Sequence, residues 1–154
     1  MTEQRKFEPK DPDFENRVRA NFGEQSVMSL IGAELMTVEP GFVEIGIRMR
    51  DDLTQQDGFI HAGIVTTILD SACGYAAYTL MPAASSVLSV EFKVNLLSPA
   101  TGERIVARAE VKRAGKLLTV CTADAIADGK ICATMLATII CRETKADKNL
   151  RPKT

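Results

Sequence analysis

The stretch HAGIVTTILDSACGYAAYTL, residues 61–80, decides the fold. Its side chains are apolar or small on nearly every side of an α-helix, a pattern typical of a helix buried at the centre of a domain. No other segment of the chain is a candidate for a long helix. The segments on either side alternate apolar and polar residues, which is the pattern of half-buried strands.

The predicted strands lie before and after this helix. Leu88, Val90 and Phe92 alternate with Ser89 and Glu91, which is a clear strand pattern. Turn signals such as Pro40-Gly41 and Asp128-Gly129 separate neighbouring strands. The predicted strands are residues 33–38, 42–49, 88–96, 104–112, 117–126 and 131–141.

The element order predicts an α+β domain. One long central helix is wrapped by a curved antiparallel sheet of about five to six strands, because the sheet needs a cover for its apolar face. A short helix begins at residue 13 and is closed by Gly23, and a further helical turn covers residues 25–30. We expect a flexible arm over residues 1–12, a single domain over 13–142 and a charged, flexible tail over 143–154.

Composition and charge exclude several classes of function. The chain has 154 residues with 45% hydrophobic side chains, and its 19 basic and 20 acidic residues give a net charge of -1, unlike a nucleic-acid binder. No apolar stretch reaches the roughly 18 residues of a membrane span. Four cysteines without a CxxC pair and a single histidine do not form a zinc site. We expect a reduced, cytoplasmic protein with no secretion signal.

Asp70 is the unusual residue of the central helix. An unpaired carboxylate within so apolar a helix costs free energy. Two interpretations stay open at this point: Asp70 has a chemical function, or neighbouring hydroxyls such as those of Thr66 and Thr67 satisfy it. Its helical neighbours are small, which allows a ligand or another backbone to approach closely. They are Gly63, Thr66, Thr67, Cys73, Gly74 and Ala77.

The start of the helix is a second candidate. The free backbone amides and the positive end of the helix dipole at His61-Ala62-Gly63 suit a developing oxyanion, although a flexible helix start explains the glycine equally well. His61 is the only histidine, so catalytic triads that need a separate histidine base have no support, and capping is its ordinary role. Ala62 and Asp70 lie about 12 Å apart along one helix, at about 1.5 Å per residue. If both act on one carbonyl, they belong to two subunits whose helices pack antiparallel.

The motif Gln55-(x5)-His61-Ala62-Gly63-(x6)-Asp70 resembles the signature of hotdog-fold acyl-CoA thioesterases of the phenylacetate-degradation (PaaI) type. The segments LSVEF at 88–92, Asn95 and SPATGE at 98–103 are similar to the next strand of that family and its end. The resemblance covers roughly residues 25–142. It implies a hotdog fold, thioester hydrolysis, and a homodimer that assembles further into a tetramer.

The resemblance also implies roles for individual residues. Asp70 would be the general base or nucleophile, and the Ala62 amide the oxyanion donor. Gln55 would contact the thioester or the attacking water, and Ser89 would be a hydroxyl that assists near the acid. Alanine at 62 replaces the glycine of the family, so a left-handed backbone there would be strained. We expect no cofactor, since coenzyme A is part of the substrate. The expected substrate-binding residues are His61, Gly63, Gly74, Arg113 and Lys116. The last two flank a turn and are candidates for contact with the phosphates of coenzyme A, although most basic residues at hairpin tips are only solvated.

Two alternatives to an acyl-CoA thioesterase remain. The first is a non-catalytic hotdog module that binds acyl- or aryl-CoA, and the replacement of glycine by Ala62 favours it. The second is a hotdog hydratase, which needs a histidine paired with an acid in a different helical context. The acyl group itself is not indicated by the sequence.

Overall fold

The computed structural model describes residues 7–143 of the chain. This part forms three α-helices, a short 3-10 turn over Asp51–Leu53 and six strands. The predicted α+β architecture, with one long helix and a short N-terminal helix, is confirmed. The elements are α1 (Phe14–Gly23), α2 (Ser26–Ile31), β1 (Glu34–Glu39), β2 (Phe42–Arg48), α3 (Ala62–Tyr78), β3 (Ser85–Leu96), β4 (Arg104–Ala114), β5 (Leu118–Ala127) and β6 (Lys130–Glu143).

All six strands belong to one antiparallel sheet in the order β1-β2-β4-β5-β6-β3. Helix α3 packs against β4, β2 and β5 and also contacts β3 and β6, so the curved sheet wraps around it as the hotdog fold requires. The core consists of apolar side chains from α3 and from the inner face of the sheet. Strand β3 lies at one edge of the sheet and pairs with β6.

Helix α3 is buried over its C-terminal half and open over its N-terminal half. Every residue from Ala72 to Tyr78 is buried, but Ala62 and Gly63 are exposed and Asp70 is half-buried. The prediction of a helix buried on all sides is therefore correct only for the second half. The first half leaves one side uncovered in the single chain.

A β-bulge in β3 changes which side chains face the helix. Ser89 lies opposite Ile139 and Phe92 lies opposite Ala137, so Val90 is the extra residue. Directly opposed residues of an antiparallel pair point to the same side, and both Ile139 and Ala137 are buried. Ser89 therefore faces α3 together with Phe92. The bulge reverses the apolar–polar alternation within β3, so the alternation alone does not show that Ser89 faces the helix.

The N-terminal segment forms polar contacts with the C-terminal end of α3. Arg17 forms an ion pair with Asp11 at 2.7 Å and donates hydrogen bonds to the carbonyl oxygens of Tyr78 and Met81. The ring of Phe7 packs against the core, so residues 7–12 of the predicted arm are attached to the domain. The rest of that arm, residues 1–6, and the predicted tail beyond residue 143 lie outside the described residues.

Candidate active site

Asp70 is bound by a hydroxyl group from the neighbouring edge strand. The Ser89 hydroxyl donates a hydrogen bond of 2.6 Å to Asp70 Oδ1. The hydroxyls of Thr66 and Thr67 donate instead to the backbone oxygens of Ala62 and Gly63, at 2.8 and 2.7 Å. Thr66 and Thr67 therefore do not satisfy Asp70, and the hydroxyl that contacts the carboxylate is that of Ser89.

The second carboxylate oxygen of Asp70 has no hydrogen-bond donor within residues 7–143. Because Asp70 lies on the open side of α3, this Oδ2 atom is available to a water molecule or a substrate. A short bond to one oxygen fixes the carboxylate, and the other oxygen is left free to react. This arrangement suits a general base or a nucleophile.

The start of α3 leaves one backbone amide free. The His61 Nδ1 atom accepts the Gly63 N–H at 2.9 Å, and the His61 carbonyl oxygen accepts the N–H groups of Ile64 and Val65. Within the described chain the Ala62 N–H has no acceptor. This amide, at the positive end of the helix dipole, can bind an oxyanion.

Alanine at position 62 is compatible with this geometry. Ala62 is the first residue of α3, and among the described residues other than glycine only Asp128 has a positive φ. The strain anticipated for the replaced glycine is therefore absent. Ala62 keeps its backbone N–H in an ordinary helical conformation, so the replacement of glycine does not remove this hydrogen-bond donor.

Gln55 lies in the loop that precedes α3. Thr54 pairs with Ile60, and the N–H of His61 donates to the carbonyl oxygen of Leu53, so this loop closes next to the helix start. The Gln55 side chain, however, contacts Asp57 within its own loop. Gln55 is thus close to the helix start in the chain, but its amide group bonds to neither Ala62 nor Asp70.

The predicted substrate-binding residues do not lie together. His61, Gly63 and Gly74 belong to α3 or its N-cap, and Arg113 and Lys116 lie at the end of β4 or just beyond it. His61 and Gly63 line a cavity of about 270 Å³ at the helix start, together with Asp52, Leu53, Thr54 and Ile64. Gly74 is buried one turn beyond Asp70, and a Cβ atom there would meet no heavy atom within 4 Å. Lys116 lines a second cavity of about 260 Å³ at the opposite end of α3, beside Leu80 and Met81, and Arg113 stands near the end of β4.

Two features next to Asp70 have no signal in the sequence. The bulge at Val90 interrupts an apolar–polar alternation that is otherwise regular, so the residue pattern does not indicate it. The Ser71 hydroxyl donates a hydrogen bond to Gln25 Oε1 at 3.2 Å and so connects α3 to the junction of α1 and α2.

Within residues 7–143 the structure contains no group of three or more His, Cys, Asp or Glu residues suited to a metal ion. No helix in that part is long and apolar enough to cross a membrane.

Comparisons with known proteins decide the family. The sequence profile of the thioesterase superfamily matches residues 57–133, the segment that contains the helix start, Asp70 and Ser89. The solved structure of a thioesterase family protein from Silicibacter pomeroyi is 51% identical, with a TM-score of 0.81 over 84% of this chain and 98% of that one. The chain belongs to the thioesterase superfamily.

More distant relatives agree with this assignment. A Saccharolobus solfataricus protein that carries the provisional name of an esterase is 29% identical over 129 residues, which are 82% of this chain and 85% of the relative. The PaaI protein of the E. coli phenylacetic acid degradation operon shares the fold, with a TM-score of 0.77 at 15% identity over 83% of this chain and 92% of that one. The predicted resemblance to hotdog thioesterases is therefore confirmed, and the likeness to PaaI is one of fold. Membership of this superfamily supports a thioesterase-type function.

Proposed function

We propose that this thioesterase superfamily member hydrolyses acyl-CoA thioesters to a carboxylic acid and coenzyme A. The observation that carries the proposal is the Asp70 carboxylate, which Ser89 holds by one oxygen and which leaves the other oxygen free. The unshared Ala62 amide supplies the oxyanion donor. Together they are the two groups that thioester hydrolysis needs, a base or nucleophile and a stabiliser for negative charge on the carbonyl oxygen.

The reaction does not require an acid for the leaving group, since a thiolate departs without prior protonation. In the first route, Asp70 Oδ2 takes a proton from water, and the hydroxide attacks the thioester carbon and expels the thiolate. In the second route, Asp70 attacks that carbon itself and expels the thiolate, and water then hydrolyses the mixed anhydride. Both routes use the Asp70 carboxylate and the Ala62 amide, so the proposal includes both.

We further propose that each active site is shared between two subunits. Ala62 and Asp70 are separated by about 12 Å along α3, too far to act on one carbonyl. Antiparallel packing of two such helices would bring the Asp70 carboxylate of each subunit to the positive N-terminus of the other helix, a favourable pairing of charge. A two-fold axis then creates two identical sites, and dimers of this kind can assemble into tetramers.

Exposed apolar side chains on β3 support a partner at this edge. Phe92 and Leu96 are 42% and 55% exposed although they lie on the helix-facing side of the sheet. As an edge strand, β3 also carries backbone groups that can pair with another strand. A second copy of the chain, placed edge to edge, would cover these side chains and would bring its own α3 beside the first.

Substrate-binding roles remain proposals for the other predicted residues. His61 and Gly63 lie at the exposed start of α3, where an acyl thioester would bind. Gly74 is buried one turn beyond Asp70, where the absence of a side chain would leave room for the acyl group. Arg113 and Lys116 would contact the phosphates of coenzyme A from the far end of the helix. The four free cysteines favour the cytoplasm as the location, and the proposed chemistry requires no cofactor.

Release of free thiol from a panel of acyl- and aryl-CoA thioesters tests the function, with a thiol reagent as the detector. We expect catalytic release with at least one member of the panel. Binding without release would contradict the proposal and favour the non-catalytic alternative, which the unstrained Ala62 no longer supports. Cys121 and Cys73 add little background, because burial raises the pKa of the Cys121 thiol to about 12 and also raises the pKa of the Cys73 thiol. A sample without substrate corrects for the partly exposed Cys141.

Removal of the Ser89 hydroxyl should slow turnover less than removal of the carboxylate. In Ser89→Ala, Asp70 keeps its charge but loses the bond that orients it, and we expect kcat to fall about tenfold, equivalent to the roughly 1.4 kcal/mol of one hydrogen bond to a charged group. Gln55→Ala should likewise cost less than loss of the carboxylate. Ser86→Ala, on the same strand, is a matched control. Wild-type kcat in Ser89→Ala would show that the bond does not orient the base.

A further inference from the structure

The His61 side chain determines which amide at the start of α3 is free. Its Nδ1 atom takes the N–H of the second helical residue, Gly63, at 2.9 Å. Its backbone oxygen takes the N–H of the third, Ile64, at 2.9 Å. Of the first three helical amides, only that of Ala62 is left without an acceptor in the described chain.

Gly63 gives the imidazole the space that this contact needs. A Cβ atom at position 63 would lie 3.0 Å from His61 Nδ1 and 3.3 Å from Cε1. Contacts this close require the imidazole to shift by a few tenths of an ångström, which weakens its hydrogen bond with the Gly63 amide. The glycine is therefore explained by the close approach of a side chain, since its own φ is not in the left-handed region.

We propose that His61 is a positioning residue, which occupies the Gly63 amide and thereby leaves the Ala62 amide as the single donor to the thioester oxygen. This inference rests on the proposed thioester hydrolysis. Because Nδ1 accepts a hydrogen bond, the neutral imidazole carries its proton on Nε2. The imidazole then influences the reaction by occupying the Gly63 amide, and its Nδ1 atom does not accept a proton during the reaction.

The tautomer of His61 tests the contact without any activity assay. His61 is the only histidine of the chain, so the imidazole nitrogens give one set of signals in a long-range ¹H–¹⁵N NMR spectrum of the uniformly labelled protein. At a pH at which the imidazole is neutral, we expect the Nε2–H tautomer. A predominant Nδ1–H tautomer would overturn the inference, because a protonated Nδ1 cannot accept the Gly63 amide.

Three substitutions test the positioning role. Asparagine is a good N-cap residue whose oxygen accepts the same amide, and alanine is not. We expect His61→Ala to lower kcat about tenfold with little change in KM, and His61→Asn to restore most of kcat. Gly63→Ala keeps the amide but shifts the imidazole, so it should show part of the effect of His61→Ala. Circular dichroism at the assay temperature confirms that each variant is folded.

The outcomes separate this inference from the function on which it rests. Equal activity of folded His61→Ala, His61→Asn and wild-type protein would overturn the positioning role while thioester hydrolysis stands. An equal loss in His61→Ala and His61→Asn would also overturn it, because the imidazole would then have a role that an N-cap cannot replace. A wild-type protein that hydrolyses no thioester would contradict the proposed function and the positioning role with it.

Discussion

Replacement of Asp70 with asparagine is expected to lower the turnover of acyl-CoA hydrolysis by about 10²-fold or more. The amide has nearly the same shape as the carboxylate and retains an oxygen that accepts the Ser89 hydroxyl, so the packing around it is preserved. It has neither the charge nor the basicity to activate water or to attack a thioester. The measurement is kcat and KM from thiol release, with circular dichroism and thermal unfolding as tests of folding.

The control removes the same charge elsewhere. Asp124 lies on β5 between the buried residues Ala123 and Ala125, so its side chain points to the outer face of the sheet, away from α3. Asp124→Asn should leave turnover within about twofold of wild type. Near-wild-type turnover in folded Asp70→Asn would exclude Asp70 as base and as nucleophile.

Most of the fold could be predicted from the sequence, because its elements have strong and regular patterns. The apolar stretch that became α3 begins at Ala62 and ends at Tyr78, within two residues of the predicted range 61–80. The β1–β2 and β5–β6 hairpins turn at Pro40-Gly41 and at Asp128-Gly129, as the turn residues and the alternating strands predict. Local preferences and burial point to the same structure in these segments, and prediction from residue patterns is then reliable.

The candidate site could be predicted only in part. Asp70 is conspicuous as a carboxylate in an apolar helix, and the helix start offers free amides in any sequence. The partner of Asp70 could not be derived from the alternation in β3, because a bulge depends on the pairing with β6 and leaves no mark in the residue pattern. The hydrogen bond from the Gly63 N–H to His61 Nδ1 likewise depends on the orientation of the imidazole, which composition and spacing do not determine.

Mixing of two inactive variants is expected to restore activity, because each site would take Asp70 from one subunit and the Ala62 amide from the other. The first variant is Asp70→Asn. The second, Ala62→Pro, lacks the amide proton that we assign to the oxyanion. In a mixed dimer one site carries both defects and the other carries neither. If pairing is random, half of the dimers are mixed, and activity should recover to about a quarter of wild type.

The Ala62→Pro variant is expected to fold. Proline is tolerated at the first position of a helix, where the missing N–H has no intrahelical acceptor. The preceding residue, His61, has φ of -59° and ψ of 135°, a conformation that a following proline favours. Circular dichroism and the subunit mass under native conditions verify the fold and the assembly before mixing.

Thiol release from the mixed sample, measured after reversible dissociation and reassociation, is the most direct test of a site shared between subunits. Subunits with different affinity tags allow the mixed dimers to be isolated, and each variant mixed with itself is the control. We predict about half of the wild-type activity per isolated mixed dimer and background activity in both controls. Background activity in well-folded, isolated mixed dimers would contradict the shared site.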